Sequence, residues 1–172
     1  MATLSVTNIF NLSKATLVKF GALDWIADAV ADAIANSESV GNRICGLYYL
    51  ESYCLQLKSG RVRGDIEPIV SQEKAGIVRV DAKFGFAQPA FQRGIVPARE
   101  AALKNGICSL AIGHAHTCTS LGYFTEQIAK SNLIGVGFTN ASPIVAAPGG
   151  KSRIIGTNPI AFSVPDGKGN TA

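Results

Sequence analysis

The chain has 172 residues, of which 47% are hydrophobic and 16% charged, and its formal net charge is +4. This length allows one domain with a sizeable core, and the high apolar content predicts that a partner or further chain covers part of the surface. No window approaches the roughly 18 consecutive apolar residues of a membrane span, and the N-terminus has no signal-peptide pattern, so we expect a cytoplasmic protein with no membrane partner.

The cysteines and the charges exclude further classes of site. Cys45, Cys54, Cys108 and Cys118 form no C-x-x-C pair, and no histidine stands at ligand spacing from a pair of cysteines. This spacing predicts reduced thiols and no metal site. Residues 61–172 hold twelve basic residues against seven acidic ones, but they are scattered. We therefore expect a small anionic ligand, such as a carboxylate, and no nucleic-acid partner.

The first third of the chain is predicted to be helical. Residues 24–37 place apolar side chains on one stripe with Asp28 and Asp32 facing away, and residues 46–59 repeat the pattern up to Gly60, which is a plausible stop. We therefore predict an N-terminal helical segment over residues 1–65.

Strands and helices alternate in the rest of the chain. The predicted elements are a strand at 77–83, a helix from Pro97 to Gly106, a strand at 109–112, a helix at 120–130, and strands at 133–139 and 160–164. This order predicts an α/β (mixed α+β) domain over residues 66–172, with helices covering a sheet. The chain ends soon after the last predicted strand without a closing helix, which favours a fragment of a longer protein.

Both histidines lie in the stretch AIGHAHTCTSLGYF at 111–124. A histidine is more often structural than catalytic. Here, however, both follow a buried strand and precede a helix N-terminus with free N–H groups, where an imidazole is suited to acid–base chemistry near neutral pH. The residues alone leave both interpretations open.

A second candidate is the loop APGGKSRIIGTNP at 147–159. Its glycines allow close approach of a ligand, and Lys151 and Arg153 suit a phosphate or carboxylate, although an ordinary surface loop fits equally well. The loop lacks the Walker spacing, and no Gly-x-Gly-x-x-Gly follows a strand, which argues against a conventional Rossmann site.

The segment GTNPIAFSVP, at 156–165, resembles the malate/L-lactate dehydrogenase family of non-Rossmann NAD(P)-dependent oxidoreductases, which includes ureidoglycolate, sulfolactate and cyclic-imino-acid reducing enzymes. The resemblance extends back through LIGVGFTNASPIVAAPGG to the histidine loop, and then to QPAFQ and LKSGRV. It implies a homodimer, a non-Rossmann NAD(P)-binding sheet and a polypeptide about twice this length.

The resemblance implies a role for the histidine loop and for two short segments. The family's catalytic histidine shortly precedes a Gly-Tyr-Tyr-like helix start. Counting back from Gly122, Thr117 takes that position, and one inserted loop residue restores it to His116, with His114 the weaker candidate. The cofactor residues implied are Thr139, Asn140 and Ala141, with Thr157, Asn158 and Pro159 near the nicotinamide.

The residues expected to bind the substrate differ from the family pattern. Where members share Ser-His-Gly-x-x-Arg, this chain has Ile44, Cys45 and Tyr49 in place of the Ser, His and Arg, and it keeps Tyr53. In the family this arginine pairs with the substrate carboxylate, and tyrosine cannot replace that charged contact. Either Arg43 or Lys151 replaces it, or the substrate is different. A wall of Tyr49, Tyr53 and Cys45 suits a ring substrate.

The main prediction is an enzyme that transfers a hydride between NAD or NADP and a 2-hydroxy/2-oxo acid. The alternative within the family is a reductase of cyclic imino acids, the pyrroline- or piperideine-2-carboxylates. The alternative from another class is a non-catalytic ligand-binding or scaffold protein on the same fold.

Overall fold

The computed structural model describes residues 3–167. The chain packs as two compact units that divide between Ser120 and Leu121. The domain boundary predicted at 65/66 falls inside the first unit and stays a prediction. In the part of the chain described, no helix is long and apolar enough to cross a membrane.

The predicted mixed α+β class is confirmed. In chain order the first unit contains α1 (Val6–Lys19), α2 (Asp24–Ser39), α3 (Leu47–Lys58), β1 (Ile69–Lys74), β2 (Ile77–Asp81), α4 (Ala87–Asn105) and β3 (Ser109–Gly113), with a 3-10 turn (Arg43–Cys45) before α3. The second unit contains α5 (Leu121–Ala129), β4 (Gly135–Phe138), β5 (Val145–Ala146), β6 (Arg153–Ile155) and β7 (Ile160–Ser163).

Three helices begin the chain. The helices predicted at 24–37 and 46–59 are confirmed as α2 and α3. Helix α1 was not predicted; Ser5 caps it by accepting a hydrogen bond from the Asn8 amide. At the start of α3, the Glu38 carboxylate accepts from the Leu47 amide at 2.8 Å, so the end of α2 caps the next helix.

The core of the first unit lies among these helices and the chain entering α4. Its largest members are completely or almost completely buried: Leu17, Ile26, Ile34, Tyr53 and Phe86. Tyr53 is notable in this group because its polar hydroxyl is buried with its ring. The core therefore reaches directly to the residues considered below as a site.

The sheet of the first unit has the order β1-β2-β3. β1 pairs antiparallel with β2, whereas β2 pairs in parallel with β3, with Asp81 opposite Gly113. Helix α4 makes the crossover that parallel strands require. It approaches the sheet closely because Gly94 has no side chain: a Cβ there would lie 2.6 Å from Val80 and 2.7 Å from Leu110.

The helix start predicted at Pro97 is wrong, because α4 begins ten residues earlier, at Ala87. Pro89 lies in its first turn, where a missing N–H costs nothing, whereas Pro97 lies in its interior. Packing of the buried face of α4 on the sheet outweighs the hydrogen bond that Pro97 cannot donate.

In the second unit, β4 and β7 form an antiparallel pair against α5. Gly135 and Gly137 face α5, and a Cβ on Gly135 would lie 2.6 Å from the Thr125 carbonyl oxygen. The buried hydroxyls of Thr125 and Ser163 are 2.8 Å apart. Only one strand was predicted after residue 140, and this is corrected: the short hairpin of β5 and β6 precedes β7.

Candidate active site

The segment carrying the histidines continues the parallel pairing of β2 and β3. Beyond the strands, the Ala82 amide donates to Gly113, the Phe84 amide to His114, the His116 amide to Gly85 and the Ala87 amide to His116. These four backbone bonds measure 2.7 to 3.2 Å. The backbone of His116 is thus anchored on both its amide and its carbonyl side.

The ring of His116 belongs to a buried aromatic cluster. Its centroid lies 6.1 Å from Tyr53 and 6.0 Å from Phe86, both in edge-on geometry. Among residues 3–167, the buried Nε2 atom of His116 has no hydrogen-bond partner. Burial lowers the pKa of His116 from its usual 6.5, and the positive charge of Arg61 lowers it further. At neutral pH the imidazole is therefore uncharged.

Tyr49 and Tyr53 extend this cluster along one face of α3, with ring centroids 5.5 Å apart. Tyr53 is completely buried and its hydroxyl donates to the Thr119 hydroxyl at 3.1 Å. Burial raises the pKa of Tyr53, and Thr119 and Gln88 oppose the rise. Tyr49 is half-buried. The structure therefore brings together Tyr49, Tyr53 and His116.

His114 occupies a different environment. Its Nδ1 lies 3.0 Å from Asp81 Oδ1, its ring centroid lies 5.3 Å from that of Phe84 with the rings tilted by 38°, and 63% of its side chain is exposed. The Asp81 carboxyl has a lowered pKa because the Lys83 amide and His114 donate to it. Lys83, Phe84 and His114 all have positive φ values, a strained backbone of the kind that clusters at functional sites.

The other proposed substrate residues lie outside the aromatic cluster, on the 3-10 turn before α3. Arg43 is exposed and Cys45 is half-buried there. Burial raises the pKa of the Cys45 thiol. This keeps the thiol protonated and unreactive at neutral pH.

The proposed cofactor residues all lie in the second unit, at one end of the β4–β7 pair. Residues 139–141 leave β4 and residues 157–159 enter β7, where Phe138 pairs with Ile160. Asn158 Oδ1 accepts from the Ala141 amide at 2.9 Å and joins the two segments. Beside them, a Cβ on Gly156 would overlap the Ala141 carbonyl, so only glycine fits.

Lys151 and Arg153, named as anion ligands from the sequence, lie on the β5–β6 hairpin and are exposed. In the part of the chain described, no group of three or more His, Cys, Asp or Glu side chains is arranged to hold a metal ion.

Four residues of this region were not singled out in the sequence. Asp81 orients His114, Arg61 acts on the pKa of His116, and Gln88 and Thr119 surround Tyr53. The sequence carried two signals. Asp81 and His114 stand at or just after the ends of parallel strands, and Arg61 and Gln88 lie in LKSGRV and QPAFQ, two segments that resemble the family. That these segments and Thr119 come close together depends on the fold.

Comparison with known proteins identifies relatives over nearly the whole chain. The malate/L-lactate dehydrogenase family matches residues 4–172. The (2R)-3-sulfolactate dehydrogenase (NADP(+)) of Chromohalobacter salexigens is 37% identical over 163 residues, which are 94% of this chain and 48% of that protein. The Delta(1)-pyrroline-2-carboxylate/Delta(1)-piperideine-2-carboxylate reductase of Pseudomonas putida is 34% identical over 92% of this chain and 47% of that protein.

Solved structures agree. The crystal structure of delta1-piperideine-2-carboxylate reductase from Pseudomonas syringae pvar. tomato superposes with a TM-score of 0.92 at 31% identity, covering 99% of this chain and 52% of that one. The chain spans about half the length of the relatives it matches.

Proposed function

Because the chain belongs to the malate/L-lactate dehydrogenase family, we propose that the protein is an oxidoreductase that transfers a hydride between NAD or NADP and a 2-hydroxy/2-oxo acid. The observation that carries this proposal is the family match over residues 4–172, which includes both the histidine segment and the β4–β7 end. When bound, the dinucleotide supplies or accepts the hydride, and the protein orients the reactants and handles the proton.

His116 is the proposed proton donor to the developing alkoxide or amine. Its anchored backbone and aromatic contacts hold the ring in one place. The lowered pKa favours the neutral imidazole, which is the base needed for oxidation, and it makes the less populated protonated form a stronger acid for the reverse reduction. His114 is the second candidate, because the Asp81 carboxylate orients its ring, an arrangement common in acid–base catalysis.

The dinucleotide would lie against Thr139, Asn140, Ala141, Thr157, Asn158 and Pro159. The assignment rests on the family resemblance, and it is supported by the Asn158 to Ala141 hydrogen bond and by Gly156, whose missing side chain lets these two segments pack against each other. Lys151 and Arg153 are compatible with a 2′-phosphate, and one relative carries NADP(+) in its name. These features leave NAD and NADP as alternatives.

The substrate would be a small carboxylate held near Tyr49, Tyr53, Cys45 and Arg43. A 2-hydroxy acid fits the sulfolactate dehydrogenase relative, and a cyclic imino acid fits the pyrroline/piperideine reductases. The second class is favoured because Tyr49 stands where the family resemblance places an arginine, and its ring lies 5.5 Å from that of Tyr53. We further propose a homodimer, as the family resemblance implies, and a cytoplasmic location, as predicted from the sequence.

The test is a spectrophotometric assay of the full-length gene product. Oxidation of NADH and NADPH is followed with pyruvate, oxaloacetate, pyrroline-2-carboxylate and piperideine-2-carboxylate, and reduction of NADP⁺ with (2R)-3-sulfolactate. Turnover of any one supports the oxidoreductase. Absence of both turnover and dinucleotide binding would establish the alternative, a non-catalytic binding or scaffold protein.

Two matched variants separate the histidines. His116→Gln is expected to lower kcat by about 10² to 10⁴, the usual contribution of a general acid, while His114→Gln retains most activity. The reverse result would transfer the proton donor to His114 and its Asp81 partner. Dinucleotide affinity, measured by fluorescence titration, serves as the control that both variants remain folded.

A further inference from the structure

Gln88 is a polar side chain that is completely buried at the start of α4. Its Nε2 donates to the Cys118 carbonyl at 3.3 Å. A carbonyl oxygen only accepts, so this contact fixes which way the amide faces. The other amide atom, Oε1, is buried and has no hydrogen-bond partner among residues 3–167. Burying a polar atom without a partner is destabilising, which calls for an explanation.

The place of the Gln88 to Cys118 hydrogen bond in the chain explains why the Gln88 side chain is buried there. Phe86 and His116 form an isolated parallel bridge. Helix α4 starts at Ala87, so the backbone cannot continue the pairing on that side. Gln88 stands two residues after Phe86, and Cys118 two residues after His116. The Gln88 side chain therefore extends the parallel pairing by one further step.

Helix α3 also contacts the turn at Cys118 and Thr119, which directly follows the histidine segment. The Tyr53 hydroxyl donates to Thr119, whose hydroxyl donates to the Cys118 carbonyl at 2.7 Å. Thr119 has a φ of +54°, which is strained for a β-branched residue. Such a conformation is unfavourable and persists only where surrounding contacts impose it. Here the contacts that impose it come from Tyr53 and the Cys118 carbonyl.

We propose that Gln88 and Tyr53 are positioning residues that fix the His116 imidazole, by holding the Cys118 carbonyl and the strained Thr119 turn directly after it. Backbone bonds hold His116 itself, and the two buried side chains hold the turn that follows, so the ring keeps its place between Tyr53 and Phe86. This inference rests on the proposed function for the use of His116, but the positioning itself is a property of the fold.

The test compares three variants. Gln88→Met keeps the length of the side chain and removes its donor, Tyr53→Phe removes only the hydroxyl, and Gln92→Met is the control because Gln92 is exposed on the same helix. Long-range ¹H–¹⁵N spectra of the full-length protein report the imidazoles. His114→Gln and His116→Gln each remove one signal and so assign the two histidines of this chain.

The expected result is that Gln88→Met changes the His116 ring resonances and raises its pKa toward 6.5, because a loosened turn lets water reach the ring. His114 and the Gln92→Met control should be unchanged. An unaltered His116 titration in folded Gln88→Met would overturn the proposal. If Gln88→Met does not fold, Tyr53→Phe decides the question by the same measurement.

An activity arm separates this proposal from the proposed function. In an active full-length protein, Gln88→Met is expected to lower kcat about tenfold with little change in KM, since small misplacements of a catalytic group have effects of that order. Unchanged kcat would overturn the positioning role. A wild-type protein without turnover, combined with the shifted His116 titration, would sink the enzyme proposal and leave the positioning supported.

Discussion

Arg61 and His116 illustrate how single residues tune the candidate site. Arg61 is exposed, and its positive charge is a secondary cause of the lowered pKa of His116. We expect Arg61→Gln to raise that pKa, because the protonated imidazole then loses a repulsive neighbour. NMR titration measures it, and the difference from wild type should shrink in concentrated salt. Arg43→Gln, also exposed, is the control; an equal rise there would point to net charge alone.

The lowered pKa of His116 also predicts how stability depends on pH. The unfolded chain has the ordinary value of 6.5, so below that pH it binds more protons than the folded chain. The free energy of unfolding should therefore be highest above about pH 7 and fall toward pH 5. Urea denaturation across this range measures the slope, and His116→Gln should flatten it. The lowered pKa of Asp81 acts in a separate window, below 3.8.

At the residue scale, the position after a strand marked His114 and His116 as candidates, and the family resemblance selected His116 and Tyr53. The sequence did not identify Gln88 and Thr119. Gln88, Tyr53 and Thr119 meet only because α3, α4 and the histidine segment converge, and that convergence depends on the crossover of α4. The spacing of residues along the chain does not indicate that these three segments converge.

Among the elements, regular apolar stripes were predicted well and interrupted ones were missed. The stripe of α2 is continuous, whereas the buried stripe of α1 has the polar residue Ser13 between Ile9 and Leu17. In α4, Gly94 and Pro97 are helix breakers by local propensity, and packing against β2 and β3 overrides them. The three-residue β6 is too short to show a period.

The contact between α5 and β4 gives an element-scale prediction. Gly135→Ala should lower the free energy of unfolding by about 1–3 kcal/mol, because its Cβ would overlap the Thr125 backbone, which cannot move aside cheaply. Gly122→Ala, on α5 with open space around it, is the matched control and should be neutral or stabilising. Chemical denaturation of both variants is the measurement. Equal effects would show that α5 does not pack closely on the strand.

At the scale of the whole molecule, the second unit leaves one sheet face uncovered. Opposite the glycine face of the β4–β7 pair stand Val136, Phe138, Ile160 and Phe162, each 47% exposed or more. A contiguous apolar face of this kind promotes association. We expect this chain to bind a hydrophobic dye and to self-associate with concentration.

Replacing Phe138 and Phe162 together by lysine should reduce both dye fluorescence and self-association, measured by sedimentation velocity. Ile107→Lys is the control, because Ile107 is 77% exposed and belongs to the first unit. An equal reduction by the control would mean that added charge, and not loss of the apolar face, is responsible.

The backbone bonds that carry β2 and β3 onward to His116 have a consequence for the dynamics of the site. Local opening usually releases a loop independently of the sheet beneath it, but here the loop amides of Phe84 and His116 are themselves part of the parallel pairing. Their hydrogens should exchange with deuterium only when the sheet opens, as slowly as those of Val78 and Val80. The candidate acid–base group would then sit on a cooperative folding unit instead of a mobile loop, so its placement would persist for as long as the sheet itself.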